Sequence, residues 1–212
     1  MASGEHVLYG YAGSGSAAVE AALSLAGLPY RVVDAATWDG ASALEELRAA
    51  NPLQQIPALR WPDGQVMSES AAILIELGLR HPASGLLPPS PEGRAQAIRG
   101  LVYIVANCYA AIGIIDYPER WCSPAEGPHC EAVKAGARQR LHALWEVFAD
   151  TFAGTPWLSG DRLGALDLLA AVVSKWSGAR AHLASARPAF SALLSRIDQH
   201  PVAAPVFARH WR

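Results

Sequence analysis

Charge is scarce in this 212-residue chain. Only 17% of its residues are charged and the net charge is −2. So small an excess gives neither a polyanion nor an anionic lipid surface a footing, so no nucleic-acid or membrane partner is expected. Cysteine is scarce too. The three present, Cys108, Cys122 and Cys130, are odd in number and lack metal-motif spacing, so neither a disulfide framework nor a metal centre is expected. A reduced, cytoplasmic protein is the simplest reading. No stretch approaches the ~20 consecutive apolar residues of a membrane span. The opening MASGEHVLYGYAG has neither a basic region nor a long apolar core, so no signal peptide is expected. Internal repeats are absent, and no convincing strand pattern follows His81.

Hydrophobic residues make up 51% of the chain, enough for a substantial core in one large domain or two small ones. Val7–Tyr11 reads as a strand, the small polar loop Gly13–Ser16 leads into an alanine-rich helix, and Tyr30–Val33 gives a second strand, so a parallel pair follows. Ser42 is placed to cap a helix carrying Leu44 and Leu47. Pro57 stands at the entrance of a strand, Ala58–Trp61, where its missing N–H is tolerated. Pro62-Asp63-Gly64 is a turn, Gln65–Met67 a returning strand, and Ser68 a natural cap for the helix through Leu77. Residues 82–92, dense in proline, glycine and serine, read as a linker. Beyond it, apolar periodicity predicts helices over Arg94–Ile115, Glu131–Phe152, Leu163–Trp176 and Ala189–Ile197, with Pro201 and Pro205 breaking up the tail. The organisation expected is an α/β domain over residues 1–81 in the order βαβαββα, then an all-helical domain over 93–212.

Asn51-Pro52, Gln55-Ile56-Pro57-Ala58-Leu59, Asp63-Gly64 and Glu69-Ser70 before Ala72-Ile73 together resemble the glutathione transferase family. That resemblance covers essentially the whole chain. It implies a thioredoxin-like N-terminal domain, a helical C-terminal domain, glutathione as co-substrate, no metal, and a homodimer. It also implies a cis bond before Pro57, with the Ile56 backbone pairing the cysteinyl part of glutathione beside Gln55. Glu69 and Ser70 would hold the γ-glutamyl end. That role is chemically sound, because a carboxylate pairs with an ammonium while a hydroxyl and free helix N–H groups receive a carboxylate. Trp38 would flank the glycine end. One departure is Gly164, where the family has a serine or threonine three residues before the aspartate, here Asp167. Glycine can occupy an N-cap but brings no side-chain acceptor.

The thiolate, not the thiol, is the nucleophile. In serine-type members a serine in the loop after the first strand donates to the sulfur, and Ser14 and Ser16 both lie near that place. Ser14 is preferred because Ser16 is better placed to cap the helix. Tyr11 and Tyr9 remain candidates for a tyrosine-type arrangement, while no cysteine occupies the loop. A hydrophobic substrate site is expected between this loop and the first long C-terminal helix, with Tyr103, Asn107, Tyr109, Tyr117 and Trp121 as the available large or polar groups and Tyr11 on the loop side. The function implied is attack of the glutathione thiolate on a small, largely apolar electrophile. A glutathione-dependent isomerase, dehalogenase or etherase, or a non-catalytic binding protein of the same fold, are the alternatives.

Overall fold

The computed structural model describes residues 4–123 and 126–211. Its N-terminal part is a four-stranded mixed sheet in the order β2-β1-β3-β4. β1 (His6–Gly10) pairs parallel with β2 (Tyr30–Asp34), while β3 (Ala58–Arg60) pairs antiparallel with both β1 and β4 (Val66–Ser68). All five residues of β1 are buried because both faces of the sheet are covered. Leu8 packs into the main core with α1 (Ser16–Leu25) and α3 (Ser70–Arg80), whereas Val7 and Tyr9 form a smaller core with Leu47 of α2 (Leu44–Ala50). Tyr9 is 2% exposed, which removes it from any ligand-binding role.

Two local expectations are corrected here. Ser42 does not cap α2, whose N-cap is Ala43. Its hydroxyl instead donates to the Ala36 and Asp39 carbonyls and accepts from the Ala36 N–H, bracing the loop that carries Trp38. Ser68 closes β4, and the N-cap of α3 is Glu69, at a φ of 67°.

After a 3₁₀ turn (Pro82–Ser84), the chain enters the all-helical part at α4 (Pro91–Tyr103), capped by Ser90, which accepts from the Gly93 N–H. A π-helical segment (Ile104–Tyr109) joins α4 to α5 (Ala110–Asp116), making one continuous helix. This helix is long and apolar enough to cross a membrane by length and composition, contrary to the reading from consecutive apolar residues. It packs instead against α6 (Pro128–Thr151) and α7 (Ala165–Val173), and residues of its inner face line a cleft. Every residue of α7 is buried. Its missing cap acceptor is offset by Asp167, whose carboxylate accepts from the N–H groups of Leu158, Ser159 and Gly164.

The tail is more regular than its prolines suggested. α8 (Ala179–Ala186), α9 (Pro188–Asp198) and α10 (Ala203–His210) follow α7. Pro205 sits in the first turn of α10, where an N–H has no intrahelical acceptor to lose, so it does not break the helix.

Candidate active site

A cleft of about 900 Å³ opens between the sheet domain and the α4–α5 helix. One side is built from loops at the strand ends: Gly13–Gly15 after β1, Ala36–Trp38 after β2, and Asn51 with Leu53–Pro57 before β3. The start of α3, at Glu69 and Ser70, completes that side. Local side chains set these loops. Buried Asn51 donates to the Gln55 carbonyl and accepts from the Leu53 N–H, and the Ile56–Pro57 peptide is cis. Gln54 and Glu69, both lining the cleft, are two of three non-glycine residues with positive φ among the described residues. Such conformations cost about 1–3 kcal/mol each and persist only where the surroundings impose them. At Glu69 the consequence is a carboxylate at a helix start that makes no capping bond, and no ion pair among the described residues.

The loop after β1 is organised by a chain of hydroxyls. The Tyr11 N–H donates to Ser16 Oγ at 3.2 Å, Ser16 Oγ lies 2.8 Å from Ser14 Oγ, and the Ser16 N–H also donates to Ser14 Oγ at 3.2 Å. Ser16 is fully buried and is the first residue of α1, whose N-cap is Gly15, so it is not the helix cap expected of it. Ser14 lines the cleft and Ser16 does not. Ser16 has a single proton, which goes either to the Tyr11 carbonyl at 3.3 Å or to Ser14 Oγ; in the second case the Ser14 oxygen accepts two bonds and its own proton is left to point elsewhere.

A second brace comes from α10. The Gly13 N–H donates to His210 Nδ1 at 3.2 Å, and His210 Nε2 donates to Glu20 Oε2 of α1 at 2.7 Å, which fixes the neutral tautomer with its proton on Nε2. Arg209 and Tyr30 donate to the other Glu20 oxygen. Burial pushes the Glu20 carboxyl up, but the bonds from His210 and Arg209 outweigh it and hold the pKa below the ordinary 4.5.

The facing wall is aromatic. Val105, Tyr109, Ile112 and Asp116 come from the long helix, Tyr117 from the junction after it, Arg120 and Trp121 from the 3₁₀ turn Pro118–Trp121 that follows, and Trp176 from beyond α7. Tyr109 packs on Trp176 with ring centroids 5.6 Å apart. Its hydroxyl is seated so close to the α1 loop that a side-chain methyl at Gly15 would collide with it. Burial pushes the Tyr109 phenol well above its ordinary pKa, so it stays protonated and can only donate or accept as a hydroxyl.

Of the expected substrate-site residues, Tyr117 and Trp121 line the cleft, and so do Trp38, Gln55, Ile56, Pro57, Glu69 and Ser70 among those expected to hold glutathione. Tyr103, Asn107 and Tyr11 do not. Tyr103 donates to the Leu144 carbonyl and packs against Phe148 and Phe152; Asn107 donates to the Tyr103 carbonyl within the π-helical segment. Val105, Tyr109, Ile112 and Asp116, spaced four, three and four residues apart, form the face of the long helix that lines the cleft. Tyr11 donates to Asp39, 2.9 Å away, and stacks edge-on against Trp38 behind the cleft wall. Trp176, absent from the expected set, stands in an apolar helical run with nothing in its spacing to set it apart from core. Tyr109, named from the sequence as an aromatic of the long helix, lines the cleft.

The family model for the glutathione S-transferase N-terminal domain matches residues 16–79. An uncharacterized GST-like protein, YncG, of Escherichia coli (strain K12) is 30% identical over 96% of this chain and 97% of its own length. Maleylacetoacetate isomerase of Rattus norvegicus is 39% identical over 98 residues, 45% of each chain. Among solved structures, a glutathione S-transferase of Methylobacterium radiotolerans in complex with glutathione sulfonate is 26% identical, with a TM-score of 0.73 over 96% of this chain and 94% of that one. With a thioredoxin-like sheet domain leading into a helical bundle and near full-length similarity to a GST-like protein, the chain belongs to the glutathione S-transferase family.

Proposed function

We propose that the chain binds glutathione in this cleft and activates its thiol for attack on a small, largely apolar electrophile. One observation carries the reading: a carboxylate with no ion pair among the described residues, a helix N-terminus and a hydroxyl at a second helix N-terminus line one cleft. Glu69 takes the glutamyl ammonium, while Ser70 and the first N–H groups of α3 take its carboxylate. The Ile56 backbone pairs the cysteinyl residue, with Gln55 beside it and Trp38 at the glycine end. The glutathione sulfonate complex of the Methylobacterium relative supports the choice of ligand.

The sulfur then lies near Ser14. Lowering a thiol pKa from ~8.5 by two units takes about 2.7 kcal/mol of preference for the anion. A hydrogen bond to a charged acceptor contributes about 1.5–3 kcal/mol and a helix N-terminus about 0.3–1 kcal/mol, so the two suffice together. With the Ser16 proton turned from the Tyr11 carbonyl to Ser14, the relay from the Tyr11 N–H through Ser16 to Ser14 leaves the Ser14 proton for the thiolate, and each bond polarises the next. Tyr109, Tyr117, Trp121 and Trp176 would pack the second substrate.

A second reading is favoured by the similarity to maleylacetoacetate isomerase over about half the chain. The thiolate would add reversibly to a conjugated cis double bond, the bond would rotate, and elimination would return the trans product and glutathione. Transfer consumes glutathione and isomerisation does not, so following glutathione with each substrate class separates the two.

We place the protein in the cytoplasm, on the strength of its few, oddly numbered cysteines. We also place it in a homodimer, whose contact would cover exposed Val66, Leu79 and Val102 on β4, α3 and α4. The deciding experiment is calorimetric titration with glutathione. Glu69→Ala is expected to weaken binding by about 2–4 kcal/mol, because the ligand ammonium loses its partner. A change below about threefold in a folded variant would overturn the reading of Glu69.

A further inference from the structure

Cysteine spacing predicts no metal centre, yet the fold brings Cys122, His129 and Cys130 together. Their two sulfurs and a ring nitrogen all lie within 4.8 Å of one another. Cys122 follows the 3₁₀ turn Pro118–Trp121, while His129 and Cys130 are the second and third residues of α6. The cluster lies off the cleft: none of the three lines it, although Arg120 and Trp121, immediately before Cys122, do. We propose that Cys122, His129 and Cys130 form a binding site for a thiophilic divalent cation of the Zn²⁺ class.

The donor set fits that cation. Two thiolates and an imidazole are soft-to-borderline ligands, which favour Zn²⁺ over Mg²⁺ or Ca²⁺. A tetrahedral ion with Zn–S of about 2.3 Å and Zn–N of about 2.0 Å holds its donor atoms about 3.5–3.8 Å apart. Closing from a spread of at most 4.8 Å needs side-chain movement of about 1 Å, and His129 is exposed and Cys122 half-buried, so both can make it. Three protein ligands leave a fourth position for water at the surface. Binding releases the thiol protons to solvent and forms two metal–sulfur bonds and one metal–nitrogen bond, with no change of oxidation state. The bound ion would clip the turn carrying Arg120 and Trp121 to the start of α6, fixing one wall of the cleft.

The test uses Co²⁺ alone as a spectroscopic stand-in, added to the full chain in a non-thiol reductant without glutathione. The expected result is one equivalent bound, with visible tetrahedral bands and near-ultraviolet charge transfer from two thiolates, all displaced by Zn²⁺. Cys122→Ser should abolish the charge-transfer signal. His129→Ala, at an exposed position, should weaken Co²⁺ binding by at least about 100-fold, the upper end of what loss of a mere supporting group costs. Protein kept reduced that takes up no Co²⁺ overturns the proposal. So does uptake that survives either substitution unchanged.

Discussion

Ser14 and Ser16 are two residues apart and have opposite surroundings. Ser14 lines the cleft and Ser16 is fully buried behind it. Ser14→Ala is therefore expected to raise the pKa of bound glutathione by about one unit or more, equal to ~1.4 kcal/mol, with glutathione affinity nearly unchanged. Ser16→Ala removes the acceptor of the Tyr11 N–H, at a cost in stability of about 1–3 kcal/mol, and should shift the thiolate titration less. The thiolate's ultraviolet absorbance against pH, measured in both variants, decides the order. A larger shift in Ser16→Ala would exchange the roles, and no shift in either would move attention to the Tyr109 hydroxyl. The sequence brought both serines to this loop, but only the burial of Ser16 separates them.

At the scale of elements, α10 reaches back to the start of the chain. His210 joins the Gly13 N–H to Glu20, so the last helix braces the loop carrying Ser14. Glu20 has its folded pKa depressed, because the bonds from His210 and Arg209 overcome burial. A depressed carboxyl pKa contributes stability that is fully present above the unfolded value of 4.5 and is lost as pH falls through the folded value. Glu20→Gln should accordingly lower stability at neutral pH by about 1–3 kcal/mol, with the difference shrinking below the unfolded value. Urea denaturation at a series of pH values measures this; a difference that persists or grows in acid would contradict it. The sequence concealed this brace. Glu20 lies in an alanine-rich helix, His210 lies 190 residues away, and the intervening prolines read as breaks in the tail.

For the whole molecule, the proposed homodimer makes a direct prediction. Val66, Leu79 and Val102 are 42–52% exposed in the single chain. A symmetric interface of more than ~1,000 Å² over β4, α3 and α4 should bury them. Sedimentation should give about twice the 22.5 kDa chain mass at micromolar concentration. Val102→Glu places a charge in that contact and should shift the equilibrium toward monomer, whereas a monomer in the unsubstituted protein would rule the assembly out.

Local chemistry determined much of this protein from sequence alone. Proline at a strand entrance, the Pro62-Asp63-Gly64 turn and period-3.6 apolar patterns act within a few residues, so the order βαβαββα, the helical second half and the Ile56-Pro57 and Glu69-Ser70 segments were legible. Residues that meet across the fold were decided by tertiary structure. Packing of the long helix on α6 and α7 turned Tyr103 toward Leu144 and Phe148 and left Val105 and Tyr109 on the cleft. Packing of α10 onto α1 placed His210 on Gly13, and the fold of the turn before α6 brought Cys122 to His129 and Cys130. In each case the contact depends on the relative placement of whole elements, which no local propensity or spacing encodes.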